Sequence, residues 1–205
     1  MTEDHRTPAP DEDPLAGRGI ELTDPRAIRA YAHPVRLRLL GLLRRHGPLT
    51  ATQAAARLGE SSGTTSFHLR QLAKYGFCEA AGGGKGREKP WRATALFTSW
   101  EPALDDPERT EAERALNTVV LQLYVDQITR WLADRPDDPP EWQRAAGFGD
   151  VAVPLTPGEL ENLRRDVEAL VRPYVPRITG EAESPAGARQ VKLVHFEFPD
   201  PDERP

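Results

Sequence analysis

The chain has 205 residues, a mean hydropathy of -0.60 and a formal net charge of -5. No run approaches the ~18 consecutive apolar residues of a membrane span, and the acidic, proline-containing start lacks the basic-then-apolar order of a secretion signal. Its single cysteine, Cys78, excludes an intramolecular disulfide framework and suits a reducing compartment, so the cytoplasm is the expected location.

The charge is unevenly spread. Residues 18–92 carry 14 Lys and Arg against 5 Asp and Glu, whereas the remainder carries 13 against 27. A basic segment in an acidic chain is an electrostatic footprint for phosphate, although solvated arginine-rich helices would give the same balance.

Residues 1–17 lack apolar periodicity and are expected to be a disordered acidic tail. Thr23-Asp24-Pro25 supplies a cap and first-turn proline for a helix to about Ala32, and Pro34 opens a second helix to His46, ended by Gly47-Pro48. Thr50 and Gln53 form a capping box for a short helix, Ala51 to Leu58, stopped by Gly59. Ser61 or Ser62 caps the next helix, which runs to about Tyr75 with Leu69, Leu72, Ala73 and Thr65 on one face. Two strand-like pieces follow, Phe77 to Ala81 and Trp91 to Leu96, around a glycine-rich basic loop.

Asp106-Pro107 starts a long helix to Arg135. Ten of its seventeen positions from Leu116 to Leu132 are apolar, a stripe too wide for one buried face. A dimer interface would cover the second side, and Leu116, Val120, Leu123, Tyr124, Ile128 and Trp131 are the candidate contacts; burial by the C-terminal residues is the alternative. Further on, 150–155 and 191–198 read as strands. Between them Thr156-Pro157-Gly158-Glu159 opens a helix expected to bury Leu160, Leu163, Val167 and Leu170.

The expected fold class is mainly α with small β (α+β): a winged helix-turn-helix, a long helix, then a small helix/strand C-terminal domain. The expected divisions are a tail at 1–17, a DNA-binding domain at 18–100, a dimerisation helix at 101–135, a C-terminal domain at 136–199 that could take an effector, and a tail at 200–205. With its apolar line pinned inward, the helix from Ser62 turns Thr64, Phe67, Arg70, Gln71 and Lys74 outward, with Ser62 and Ser66 at the margins. Arg and Gln can bond base edges bidentately, hydroxyls reach bases or phosphates, and an aromatic can touch a thymine methyl. Lys85, Arg87, Lys89 and Arg92 in the hairpin are candidates for phosphate or minor-groove contact. Double-stranded DNA and a second copy of the chain are the expected partners. A winged-helix protein-interaction module without specific DNA binding is the rival reading, which the polar, basic recognition face opposes.

Tyr31-Ala32-His33-Pro34-Val35-Arg36-Leu37-Arg38-Leu39-Leu40 resembles the A-x-P-x-R-L-x-I-L first helix of ArsR-type winged-helix repressors. Thr64-Thr65-Ser66-Phe67-His68-Leu69-Arg70-Gln71-Leu72 resembles their T-V-S-H-H-L-x-x-L recognition helix, and Gly86-Arg87-Glu88-Lys89 their wing turn. The resemblance spans roughly residues 20 to 97. It implies a homodimeric bacterial regulator, often a repressor, on a palindromic operator. Where metal-sensing members carry a Cys-x-Cys pair, this chain has Ala51-Thr52-Gln53-Ala54-Ala55-Ala56, so thiolate metal sensing is not expected. The long C-terminal half is similar to that of the larger actinobacterial members.

No spacing supports a metal site, no nucleophile is paired with a base, and no cofactor or enzymatic activity is expected. The run Gly82-Gly83-Gly84-Lys85-Gly86 lacks the spacing and following helix of a phosphate-binding loop. His68 and His33 are expected to be structural, and Cys78 a buried thiol. Trp100, Tyr124, Trp131, Trp142, Phe148, Tyr174, Phe196 and Phe198 suit either an effector pocket or ordinary core, and the sequence leaves both open.

Overall fold

Local capping chemistry sets the beginnings of the helices. In the computed structural model, which describes residues 17–83 and 89–203, Asp24 accepts the Arg26 N–H at the start of α1 (Pro25–Tyr31). His33 caps α2 (Pro34–His46), its ring Nδ1 accepting the Val35 N–H at 3.2 Å. At α3 (Ala51–Leu58) the box is reciprocal: Thr50 Oγ1 accepts from the Gln53 N–H, and Gln53 Oε1 from the Thr50 N–H. Gly59 ends α3 at φ 70°, a left-handed conformation that a side chain would strain. Ser61 supplies the cap of α4 (Ser62–Lys74).

These helices share one core. Ile28, Leu39, Leu40, Leu43, Leu69, Leu72 and Phe77 are buried within it, and Tyr31 stacks on Phe77 with ring centroids 5.1 Å apart. Burial of each such side chain contributes about 1.5–3 kcal/mol. β2 (Cys78–Ala80) and β3 (Trp91–Ala93) form an antiparallel ribbon that pairs Glu79 with Arg92. Leu49 bridges Trp91 through two backbone hydrogen bonds and fastens the ribbon to the helices.

The second expected strand, Trp91 to Leu96, divides: the chain bends after β3 and resumes as β4 (Phe97–Ser99). β4 lies parallel to β1 (Gly19–Glu21), a pairing not foreseen from the sequence. Arg44 anchors this second ribbon to α2, donating to the Ala95 carbonyl at 3.0 Å and to Thr98 Oγ1 at 2.7 Å.

α5 (Pro107–Asp134) begins on Asp106, which accepts the N–H groups of Glu108 and Arg109. Its first half completes the core: Ala112 and Leu116 are buried, with Val119, Val120 and Leu123 packed beside them. Arg29 of α1 pairs with Glu108 at 2.7 Å. Near its end, Arg135 lies over the Trp131 ring and donates to the Gln143 carbonyl of α6 (Pro140–Ala145). The first unit runs Gly17–Phe148, so α5 belongs with the N-terminal helices.

The second described unit, 149–203, holds α7 (Pro157–Val171) and α8 (Val175–Thr179), joined by a 3-10 turn at Arg172–Tyr174. The Thr156–Glu159 capping box forms as expected. The strands expected at 150–155 and 191–198 do not form. Alternation gives a strand one apolar face, but a strand also needs a neighbour for its backbone groups. The apolar stripe expected to be buried on α7 is not: Leu163 is 41% and Leu170 73% exposed. Of the apolar side chains described in this unit, only Val175 is buried.

Truncating Leu116 to Ala should therefore lower the stability of the first unit by about 2–5 kcal/mol, whereas Leu170→Ala should change stability by no more than about 0.5 kcal/mol. Urea unfolding of the two variants checks the contrast.

Candidate nucleic-acid interface

α4 has two unlike sides. Thr65, His68, Leu69 and Leu72 face inward and are buried. Ser62, Phe67, Arg70 and Lys74 are exposed, while Thr64, Ser66 and Gln71 are half-buried at the margins. Seven expected contacts thus lie on the outward side and flanks of one helix. Arg70 donates to Ser66 Oγ one turn earlier at 2.8 Å, and the Lys74 ammonium lies 5.5 Å from the centre of the Tyr75 ring. Ser61 accepts the Thr64 N–H at 3.0 Å and donates to Thr64 Oγ1 at 2.8 Å, which fixes the first turn of α4.

The pose of α4 depends on the turn before it. Arg38 of α2 donates to the Leu58 carbonyl at 2.8 Å, and its other terminal nitrogen lies 3.8 Å from Glu60. The sequence does not single out Arg38, because the four arginines of α2 look alike until their neighbours are known. His33 takes the capping place expected of it at α2, and its ring meets that of His68 with centroids 4.5 Å apart; His68 is buried, but the hydrogen bond expected of it is not made at Nδ1. Burial, then the Arg36 charge, holds both imidazoles below the ordinary histidine value.

The hairpin is less uniformly basic than its sequence suggests. Lys89 is exposed. Arg92 is engaged by Glu79 across the ribbon, Nε at 2.9 Å and a terminal nitrogen at 2.7 Å from the same carboxylate oxygen. Opposite charges directly across two strands cancel locally, and strand register puts Glu79 there. Lys85 and Arg87, also expected contacts, lie outside the described residues, as does the N-terminal tail up to residue 16.

Of the side chains expected to form a dimer interface, Leu116 is fully buried in its own unit, and Val120 and Leu123 pack against the same core. Tyr124, Ile128 and Trp131 are half-buried. The outward stripe contains instead Leu121, 51% exposed, Val125, 47%, and Leu132, 43%, with Ile128 between them. The apolar run was too dense for its phase to be read from the sequence.

The geometry of α2, α3 and α4, three helices on one core with a tight turn before an outward-facing polar helix, is that of a DNA-reading module. Residues 31–79 match the family model described as a helix-turn-helix domain. The match spans α2 through the start of β2 and supports a DNA-binding regulator in general terms. No curated protein matches the chain. Among the described residues, no helix is long and apolar enough to cross a membrane, and no three His, Cys, Asp or Glu gather as a metal site.

Cys78, beneath α4, donates its thiol to the Leu69 carbonyl at 3.4 Å. Burial, aided by the neighbouring Glu79 charge, pushes that thiol up to about 12. It should resist alkylation at pH 8 in the folded protein and react once unfolded; a thiol-counting assay with and without denaturant checks this.

Proposed function

We propose that the chain is a sequence-specific transcriptional repressor that acts as a homodimer on a palindromic operator. α4 enters the major groove, and the basic hairpin lies along the backbone or the adjoining minor groove. The observation that carries this reading is the two-sided character of α4: Thr65, His68, Leu69 and Leu72 are locked into the core, and Arg70, Lys74 and Phe67 are turned outward. In this position Arg70 is the base-reading residue, pre-set by Ser66, and Lys74 is a phosphate contact. The resemblance to ArsR-type repressors supports the sign of regulation.

Dimerisation follows from the outward stripe of α5. Leu121, Val125, Ile128 and Leu132 recur at spacings of four, three and four, the seam of two paired helices. The flanking Asn117, Thr118, Gln122, Tyr124, Thr129 and Trp131 carry no charge, so a second copy can approach the same surface without like-charge repulsion. Two heads joined in this way would meet successive half-sites about one helical turn apart. A small apolar effector engaging residues 149–203, where large apolar side chains stand exposed, would bias the spacing of the heads by favouring one arrangement.

Arg70→Ala should cost about 1–3 kcal/mol on the preferred duplex and relax preference at one base position, while Lys74→Ala should weaken all duplexes alike and reduce the salt slope by about one. Competition binding across a salt series separates the two, and unchanged binding in both would place recognition elsewhere. In sedimentation the native chain should run at about twice its 22.8 kDa mass, and Val125→Glu should return it to monomer. A dimer that survives Val125→Glu would remove α5 from the interface.

A further inference from the structure

The α2–α4 contact holds a polar group that the DNA-reading role does not use. α2 offers His33 and Arg36, one turn apart; α4 offers Thr65 and His68, also one turn apart; the two imidazoles meet at 4.5 Å. His68 is only 6% exposed and Thr65 fully buried. Three buried atoms here, His68 Nδ1, Thr65 Oγ1 and Arg36 Nε, have no hydrogen-bond partner within the described protein. Phe67, on the outward side of α4, rests its ring against His68 at 5.3 Å.

We propose that the His33–His68 contact is a proton-sensitive latch that positions the recognition helix, so that acidification releases DNA. The proposal rests on α4 being the DNA-reading helix. Its chemistry begins at His33. Nδ1 accepts the Val35 N–H, so in the folded protein that nitrogen carries a lone pair and no proton. Protonation would turn the acceptor into a donor facing another donor and abolish the cap of α2. It would also place a cation at the positive end of that helix, beside Arg36 and against His68. Protonating His68 instead would put the charge in a nearly closed site facing the same Arg36.

The charged and titratable groups around the latch come from each packed element. From α2 they are His33 and Arg36, and from the turn before α4 there is Glu60, whose charge is shared with Arg38. From α1 a backbone carbonyl, that of Arg29, meets Arg36. From the C-terminal cap of α4 comes Tyr75, whose phenol favours the charge on Arg36. Glu60 favours protonation of both imidazoles, but burial and Arg36 outweigh it and hold both below 6.5. Because folded values are depressed, the latch contribution is complete above the ordinary value of 6.5 and is lost as pH falls below it.

The sign is diagnostic. A histidine that touches phosphate makes DNA binding tighter on acidification, because it gains charge at the backbone; the latch makes it weaker. At constant ionic strength, affinity of the full chain for its preferred duplex should hold from pH 7.5 down to 6.5 and then fall, by at least about threefold, as the two imidazoles titrate below that value. His33→Asn, which keeps a capping oxygen and cannot titrate, should bind more weakly than the native chain at pH 7.5, by less than the native chain loses on acidification, and should show a flatter profile with His68 alone left to titrate. Tighter binding at low pH, or the same profile in His33→Asn, overturns the proposal. Proton NMR of the native chain gives a second reading that needs no variant: both imidazoles should titrate below 6.5, and either one titrating at or above that value defeats the latch. If no duplex is preferred at pH 7.5 but the thermal midpoint falls on acidification more in the native chain than in His33→Asn, the latch stands and the DNA-reading role of α4 fails.

Discussion

The inner face of α4 packs against α2 and its neighbours, and the surface geometry of the first unit follows from that contact. Leu69 and Leu72 are fully excluded from water, Thr65 and His68 lie beside them, and Phe77 closes the core just after the helix. A helix held so firmly on one side has little freedom to rotate, because interiors are packed to crystal-like density and respond to changes of a single methylene. Arg70 and Lys74 therefore point outward as a consequence of which residues point inward. The braced turn, where Arg38 holds the Leu58 carbonyl and lies near Glu60, sets the angle at which α4 leaves the core.

Charge reinforces the division. The chain is acidic overall, yet the part of its first half from 18 to 92 carries 14 Lys and Arg against 5 Asp and Glu. Within that half not every cation is available. Arg44 is spent on backbone and hydroxyl oxygens of the second ribbon, Arg29 on Glu108, and Arg92 on Glu79. What stays exposed on α4 is a small set, and sparing use of cations there favours discrimination between duplexes over indiscriminate phosphate binding.

Much of this was legible in the sequence because it is local. A cap and its partner lie three residues apart, so Thr50–Gln53 and Thr156–Glu159 could be paired by eye, and prolines at first helical positions marked α1, α2, α5 and α7. The outward face of α4 was readable for the same reason: inward residues at helical spacing define the outward ones. What depends on distant partners was not readable. The parallel β1–β4 ribbon joins two three-residue segments that lie far apart in the sequence. The Glu79–Arg92 pair needs the hairpin register, and α5 is apolar over so much of its circumference that only packing shows Leu116 to be inward and Val125 outward. In 149–203 alternation without a pairing partner left Val151 and Phe198 exposed rather than in a sheet.

The central claim is that the outward face of α4 reads DNA sequence. Selection of bound duplexes from a random pool by the purified chain, followed by affinity measurement on the winner and on a scrambled duplex across a salt series, tests it most directly. The account predicts one recurring, inverted-repeat sequence, bound at least about a thousandfold tighter than the scrambled duplex at physiological salt, with a steep salt dependence on both. A pool that emerges without a recurring sequence, with both duplexes bound equally weakly at every salt concentration, would contradict it.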